Sequence, residues 1–387
     1  MENKKNLRFI INNFKQKKDL YYFNYANYAK VPKSVNREAR KINSIFAFGS
    51  IINKKMADYQ DIVKGHVSSI FGGEKSRWFF LGTVSSVISN IGIQLIRDYI
   101  NDYGRIPAVT TYRKNFPSLI LPFQSYSTIK LCRLILLDYP ENGIDEVWLK
   151  KNVKSDIFVI SLVDFFNGFI HDLDLIHSHC VQNNIKLIVD FSQFPYWGIL
   201  NVNNYNETIF ISVLHKWLLG YPGYSISYIN LKSRPFYFGW RNMKDIFNYD
   251  VSTFTDSHEN SNITSLPFAS FEGAYKLNKN IGFDKINKYI RTSREYIFQR
   301  LYELENKYHS IKILKNNEKY KDEKSSIISF TIENKAKDCF NFLKSKNIIC
   351  SFFPDNVIRI SNSFITYKEE IDVLIEVIEK WLKENEN

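Results

Sequence analysis

An alternation of short apolar runs with longer polar segments between residues 77 and 230 constrains the fold more than any other feature. The runs are rich in β-branched and aromatic residues and cover 78–81, 106–112, 131–138, 157–163, 185–190, 208–214 and 224–229. Apolar runs separated by helix-length segments predict a mostly parallel, seven-stranded sheet with helices on both faces. Ligands bind beyond the carboxyl ends of such strands, so functional residues are expected directly after each run.

Beyond residue 262 the pattern changes to long amphipathic stretches and fewer apolar runs. The periodicity predicts helices at 283–307, 336–346 and 369–383, with strands at 325–332 and 357–361. This combination is typical of a smaller α+β domain. We therefore expect a large domain over 45–245, and a second part made of 1–44 together with 246–387.

Composition narrows the class of protein. Apolar residues make up 44% of the chain and charged residues 24%, as in ordinary globular proteins. The net charge of +12 is spread along the chain, which favours a solvated basic surface over nucleic-acid binding. Four scattered cysteines without a C-x-x-C pair indicate neither a disulfide framework nor a zinc ribbon. With no run of about 18 apolar residues and no apolar leader, we expect a cytoplasmic protein without a membrane partner.

Two neighbouring strand ends offer an acid and an amine. The run 185–190 ends in Asp190 and is followed by Gln193, while the next run closes with His215 and Lys216. Asp190 alone could equally cap the following turn. A His-Lys pair that closes an apolar strand is uncommon, because both charges resist burial.

The order Asp-x-x-Gln, about twenty-two residues, then His-Lys-Trp and a glycine-containing loop resembles the cofactor site of the class V aminotransferase superfamily. These fold type I enzymes include kynureninases, cysteine desulfurases and isopenicillin N epimerase-like enzymes. The resemblance covers roughly residues 20 to 383. It implies an α/β fold type I architecture, in which a large domain with a mostly parallel sheet precedes a smaller C-terminal α+β domain. It also implies pyridoxal 5'-phosphate as cofactor, a small amino-acid substrate and a homodimer.

The resemblance assigns roles to the residues at the two strand ends. Lys216 corresponds to the Schiff-base lysine, whose pKa is lowered by burial and by the nearby cationic ring. Asp190 corresponds to the acid that keeps the pyridine nitrogen protonated, so that the ring withdraws electrons. Gln193 resembles the residue that bonds the phenolic ring oxygen, and His215 resembles one that holds the phosphate. Lys216 and Asp190 are therefore the expected catalytic pair.

A second motif follows the first run. Gly82-Thr83-Val84-Ser85 resembles the superfamily's Gly-Thr-Thr-Glu segment, where a helix begins and its free N–H groups suit a phosphate. Val84 removes one hydroxyl, and Ser85 is expected to compensate. Thr83 and Ser85 could equally be plain helix caps.

Three further positions resemble cofactor contacts. Phe116 stands in a kynureninase-like segment whose aromatic residue stacks on the pyridine ring, where desulfurases carry histidine; a loop phenylalanine in the core is the alternative. Asp164 opens Asp-x-x-x-Gly, which is similar to the Ser/Asn-x-x-x-Gly turn near the ring oxygen. Asn262 lies where relatives have Glu-x-Gly-Thr, which reaches phosphate across the dimer interface.

Arg359 lies in an Arg-Ile-Ser strand similar to the one whose arginine receives the substrate carboxylate, although a buried salt bridge is the alternative. The cysteine-bearing loop of a desulfurase is absent between Cys350 and Arg359, so we interpret Cys350 as a core thiol. His177 and His179 look metal-like, but residues i and i+2 of a helix do not share a face.

The resulting hypothesis is a pyridoxal-phosphate enzyme with an amino-acid substrate, with an aminotransferase as the main interpretation. A lyase, either kynureninase-like or β-eliminating, and an epimerase remain alternatives. Outside enzymes, the alternative is a catalytically silent binding protein of the same fold, which the altered motifs at Val84 and Asn262 favour. The features that argue against that alternative are retained together: Asp190, Gln193, His215, Lys216 and Arg359.

Overall fold

A computed structural model describes residues 12–15, 17–45, 52–140, 143–231, 234–243, 245, 247, 250, 255–261, 265–314 and 325–385. In the helix that begins at residue 52, side chains are described from residue 55 onward.

A seven-stranded sheet forms the centre of the larger part. Its strands are β2 (Trp78–Leu81), β3 (Ala108–Tyr112), β4 (Arg133–Leu137), β5 (Ile157–Ser161), β6 (Lys186–Asp190), β7 (Thr208–Val213) and β8 (Ser225–Tyr228). Their order across the sheet is β2-β8-β7-β6-β5-β3-β4, and β8 runs antiparallel to both of its neighbours. The other neighbouring pairs are parallel. Seven mostly parallel strands are therefore confirmed, each lying within a predicted apolar run.

Helices cover both faces of this sheet. They are α1 (Lys33–Ile45), α2 (Ile52–Phe71), α3 (Val84–Tyr103), α4 (Pro117–Thr128), α5 (Glu146–Asn152), α6 (Leu173–Gln182) and α7 (Leu266–Ile281). One apolar cluster joins α3 and α4 to the sheet, and a second joins α2, α6 and α7 to its opposite face. Burial on both faces explains why inner strands such as β5 and β6 are mostly apolar, whereas β8 alternates serine with an apolar residue.

The smaller part contains a four-stranded antiparallel sheet in the order β12-β13-β10-β9. Its elements are α8 (Phe283–Lys307), β9 (Ile311–Ile313), β10 (Ile327–Ile332), α9 (Ala336–Ser345), β11 (Ile348–Ile349), β12 (Ser351–Phe353), β13 (Val357–Ser361) and α10 (Lys368–Asn385). Leucine and isoleucine side chains from α8, α9 and α10 share a separate core with this sheet. The predicted helices and strands of this region are all present.

The N-terminal segment connects the two parts. Strand β1 (Tyr21–Tyr22) pairs in parallel with β11 of the smaller part, whereas Val35 of α1 belongs to the larger core together with Phe271 and Ala274 of α7. Helices α1 and α7 thus pack with the sheet of the larger part. The boundary at residue 245 stays a prediction. In the part of the chain that is described, no helix is long and apolar enough to cross a membrane.

Candidate active site

A cavity of about 590 Å³ opens between the carboxyl edge of the large sheet and the smaller part. Eight predicted site residues line it: Thr83, Val84, Ser85, Phe116, Gln193, His215, Lys216 and Arg359. They come from five separate segments that the sheet topology brings to one edge. The cavity therefore lies at the edge of the sheet where the sequence predicts functional residues, and the roles of these residues stay predictions.

Lys216 lies in the turn that follows β7. Leu214 donates to Tyr224 O across the turn, and Gly220 donates back to Leu214 O at 2.7 Å, so the turn is closed by backbone bonds. The Lys216 ammonium lies 5.3 Å from the centre of the Phe116 ring. Burial lowers the pKa of Lys216 to about 8, with Asp190 opposing and Arg359 adding to the shift. A lysine in this state supplies a neutral amine near physiological pH, as covalent attachment to an aldehyde requires.

Asp190 ends β6 beneath the cavity and is 5% exposed. One carboxylate oxygen accepts from the Ser192 N–H at 2.8 Å. Burial raises the pKa of Asp190, while Ser192 and the charge on Lys216 act in the opposite direction. A buried carboxylate with so few donors is suited to a cationic partner.

Gln193 has a structural task besides any contact with a ligand. Its side-chain amide donates to Ala26 O at 2.9 Å, and its oxygen accepts from the Trp217 indole N–H at 3.3 Å. One amide hydrogen remains for a ligand in the cavity.

The starts of two helices meet at one end of the cavity. Thr83 caps α3 by accepting from Ser86 N, and Ser85 Oγ lies 2.8 Å from Ser118 Oγ in the first turn of α4. The positive ends of both helix dipoles therefore face the same space. Val84 is 4% exposed and packs in the core, so it offers no hydroxyl there. Ser118, which the sequence analysis missed, stands beside Ser85.

His215 is close to this end. Burial, with Lys216 adding to it, lowers the pKa of His215 to about 4, so its imidazole is neutral near pH 7. Its Nδ1 atom is buried without a partner among the described residues. The Tyr28 ring covers it at 4.9 Å between centroids. A neutral imidazole with an unused nitrogen is suited to donate to a phosphate oxygen.

Phe116 forms one wall. It is 36% exposed, and its backbone N–H is held by the side chain of Asn115, which also bonds Thr111 and Ser161. The Phe116 ring therefore faces the cavity and does not lie in the core. A flat ligand can stack on it in front of Lys216.

Arg359 lies on β13 and is 5% exposed. Its Nη1 donates to Phe165 O at 2.6 Å and its Nη2 to Ser351 Oγ at 3.3 Å. Burial lowers the pKa of Arg359 to about 10, opposed by the charge of Asp164. The alternative of a direct salt bridge is not what the structure shows, because Arg359 bonds neutral oxygens and keeps donors for an anion.

Asp164 is 3% exposed and is not among the residues that line the cavity; its neighbour Phe165 is. Its carboxylate accepts from Phe166 N and Asn167 N at 2.8 and 2.9 Å and thereby caps its own turn. Gly168 closes that turn at φ 78°, where an added Cβ would lie 2.6 Å from Ile327 O. The predicted contact between Asp164 and the ring oxygen stays a prediction. Asn262 lies outside the described residues.

Sequence reasoning missed the N-terminal segment and the start of the β12 hairpin as parts of the site. The additional lining residues are Asn24, Ala26, Asn27, Tyr28, Ser118, Phe165, Val213, Cys350, Ser351, Phe352 and Phe353. The asparagines just after β1 are a signal that could have been noticed, since polar residues beside an apolar strand often face a site. The approach of residues 24–28 to the cavity depends on tertiary pairing and carries no local pattern.

The sequence predicts a core thiol at Cys350 and no metal site at His177 and His179. Cys350 touches the cavity edge but is 7% exposed within the small core, and burial raises its pKa to about 12. His177 bonds Asn206 O and His179 bonds Val153 O, so the two rings point to different neighbours.

These residues fit pyridoxal phosphate. The amine with a lowered pKa suits its aldehyde, and the aromatic wall suits its ring. The buried acid suits the pyridine nitrogen. The hydroxyls at the helix starts, together with the unpartnered imidazole, suit the phosphate. A doubly layered α/β domain with this set at the carboxyl edge of its sheet defines the fold type I class of such enzymes.

A family model described as aminotransferase class-V matches residues 116–372, about two thirds of the chain. The chain therefore belongs to the class V aminotransferase family, whose members depend on pyridoxal phosphate. The expected family, fold class and cofactor are confirmed at this level.

Three relatives are informative. The chain is 26% identical to a probable cysteine desulfurase of Borreliella burgdorferi, over 95% of this chain and 89% of that protein. The structure resembles the apo cysteine desulfurase of Thermococcus onnurineus, with a TM-score of 0.77, 16% identity and 95% of each chain covered. It also resembles the cystine C-S lyase C-DES in complex with cysteine persulfide, with a TM-score of 0.78, 16% identity, and 93% and 97% coverage. The main interpretation as an aminotransferase gains no specific support, and the lyase alternative is closer to these relatives.

Proposed function

We propose that the protein is a pyridoxal-phosphate-dependent lyase that cleaves the C–S bond of a sulfur-containing amino acid, with Lys216 as the residue that carries the cofactor. The observation that supports this most is the very short connection between β12 and β13. Only residues 354–356 join Phe353 to Val357, and the two strands are in register up to that point. A desulfurase-type loop carrying a sulfur-accepting cysteine has no room in this hairpin.

The cavity wall suits a neutral side chain that contains sulfur. The Phe116, Phe165 and Phe353 rings form an edge-to-face chain, with centroids 5.4 and 5.9 Å apart. Among the described residues that line the cavity, none carries a carboxylate. A cationic substrate side chain would find no partner there, whereas divalent sulfur makes favourable contacts with aromatic rings.

The residues then divide the work as follows. Bound pyridoxal phosphate would withdraw electrons from the substrate Cα and so favour loss of a group from Cβ. Arg359 holds the carboxylate with the donors that Phe165 and Ser351 leave free. Lys216 would accept the Cα proton at Nζ, as its pKa of about 8 permits. Asp190 would supply the buried negative charge that favours a protonated ring nitrogen.

The alternative within this family is a desulfurase that uses Cys350 as the sulfur acceptor. The position of Cys350 at the cavity edge favours that alternative, and the 26% identity to a probable cysteine desulfurase is consistent with it. Its burial and its pKa near 12 argue against it, because the thiolate is the nucleophilic form.

Product analysis separates the two reactions. The purified protein loaded with pyridoxal phosphate is incubated with L-cystine and with L-cysteine, and pyruvate, ammonia and alanine are measured. Elimination from Cβ releases the sulfur as cysteine persulfide from L-cystine or as sulfide from L-cysteine, and water converts the remaining three-carbon fragment to pyruvate and ammonia. Transfer of sulfur to a protein thiol instead leaves alanine. Pyruvate formation that survives Cys350→Ser supports the proposal, and alanine formation that Cys350→Ser abolishes contradicts it. Keto-acid formation that requires a second amino-group acceptor would restore the aminotransferase interpretation.

A further inference from the structure

The guanidinium of Arg359 is held from two sides. Of its five N–H groups, one on Nη1 donates to Phe165 O and one on Nη2 donates to Ser351 Oγ. Nε is buried without a partner among the described residues. The guanidinium also lies 5.0 Å from the centre of the Phe353 ring. The second hydrogens of Nη1 and Nη2 thus remain for an anion in the cavity, and their direction depends on the two bonds already formed.

Ser351 is placed beside Arg359 by the sheet itself. The two residues are paired across the antiparallel strands β12 and β13, so their side chains leave the same face. Ser351 Oγ donates to Asn24 Oδ1 at 2.7 Å. Because a hydroxyl has one hydrogen, the bond to Asn24 turns a lone pair of Ser351 toward Nη2 of Arg359.

Asn24 is fixed in turn by both parts of the molecule. It forms a parallel bridge with Ser361, whose hydroxyl accepts from Ala26 N at 2.8 Å. Two positions on, Gln193 bonds Ala26 O, and Ala29 N donates to His215 O at 2.8 Å. The segment 24–29 therefore links β13 to the two loops that carry the predicted cofactor contacts.

We propose that Asn24 and Ser351 form a relay that positions Arg359 for the substrate carboxylate. This inference rests on the proposed function, since it assigns Arg359 to the carboxylate of an amino acid. Neither residue is a catalytic residue; both act through the guanidinium. A merely structural role would lower stability or cofactor content and would leave amino-acid affinity unchanged.

The test uses L-alanine, an amino acid without a leaving group at Cβ, as a probe of binding to the loaded protein. Its dissociation constant is measured from the change in visible absorbance, alongside KM and kcat for pyruvate release from L-cystine. Ser351→Ala is expected to raise the L-alanine Kd and the KM about 10-fold, with kcat within about twofold of the parent. Ser351→Thr, which keeps the hydroxyl, is expected to restore most of the affinity.

Asn24→Ala tests the order of the relay. Alone it is expected to weaken L-alanine binding about threefold, and in the Ser351→Ala background it is expected to add nothing, because the acceptor that it orients is gone. Ser345→Ala is the matched control. Its hydroxyl, at the end of α9, bonds Phe342 O and lies outside the β12–β13 hairpin. If Ser351→Ala does not fold, the L-alanine Kd of Asn24→Ala is compared with that of Ser351→Thr and of the parent instead.

Two results would overturn the relay: an unchanged L-alanine Kd in Ser351→Ala, or independent effects of the two substitutions that multiply in the double variant. Loss of bound cofactor in both variants at unchanged Kd per loaded site would show a structural role instead. A parent protein that binds L-alanine reversibly but releases no pyruvate from L-cystine would reject the C–S lyase proposal and leave the relay standing.

Discussion

Replacement of Arg359 tests the substrate-binding assignment most directly. The guanidinium keeps one N–H donor on each of Nη1 and Nη2 after its bonds to Phe165 and Ser351, and Arg359 is 5% exposed, so a carboxylate bound there would be shielded from water. Loss of a charge-assisted pair costs about 1.5–3 kcal/mol, on the order of a 10- to 100-fold loss of affinity. Arg359→Ala is therefore expected to raise the L-alanine Kd and the KM by that factor. Arg359→Lys keeps the charge but loses the planar fork, so it should bind about 10-fold more weakly than the parent.

The assay follows visible absorbance of the loaded protein during titration, together with cofactor content and the thermal midpoint of unfolding. Lys114→Ala is the charge-matched control. Lys114 lies outside the cavity and pairs with Asp355, which belongs to the β12–β13 hairpin that carries Arg359. Affinity within about twofold of the parent in Arg359→Ala would show that another group receives the carboxylate. Loss of cofactor or of the fold would show that Arg359 is structural.

Five further predictions concern this site and the oligomeric state. Cofactor uptake by the cofactor-free protein should rise with pH through about 8 and then level off, since the pKa of Lys216 is lowered from 10.5; a rate that is still rising steeply above pH 9 would contradict this. Borohydride should fix the cofactor to Lys216, as peptide mass spectrometry can show, and Lys216→Ala should give no adduct. Asp190→Asn should retain the cofactor but lose turnover by more than about 10-fold, because a neutral amide cannot keep the ring nitrogen protonated; near-normal turnover would make Asp190 a turn cap. Cys350→Ser should leave pyruvate release intact. Light scattering of the loaded protein should give twice the 45.7 kDa chain mass, and a monomer would contradict the expected homodimer.

The large sheet could be predicted because burial on both faces makes inner strands such as β5 and β6 nearly continuous apolar runs. Strand order could not, since nothing local distinguishes β8, which runs antiparallel between β2 and β7. In the smaller part, Phe283–Lys307 matches the predicted helix because its amphipathic period is long and uninterrupted. The three-residue strand β9 is too short to show any period.

The site could be predicted where chemistry is attached to a strand end. Lys216, His215 and Arg359 follow or occupy apolar runs, and an ionisable residue there is conspicuous because burial is costly. Asn24 and Ser351 gave no such signal. Both are ordinary polar residues. Ser351 matters only because it is paired across strands with Arg359, and Asn24 only because its segment returns to the sheet. Their hydrogen bond joins residues that are 327 positions apart in the chain.

The short β12–β13 connection links the proposed reaction to the proposed relay. Because only residues 354–356 separate the two strands, the ladder keeps Ser351 opposite Arg359 and brings Phe353 against the guanidinium. The same shortness leaves the described hairpin without a cysteine that could move into the cavity, while Cys350 precedes β12 and is buried in the small core. Sulfur released from the substrate would then depart on a fragment of the substrate itself. Lengthening this connection with a flexible insert that carries a cysteine should therefore weaken amino-acid binding before it creates any sulfur acceptor, because the insert would first disturb the pairing that orients Arg359.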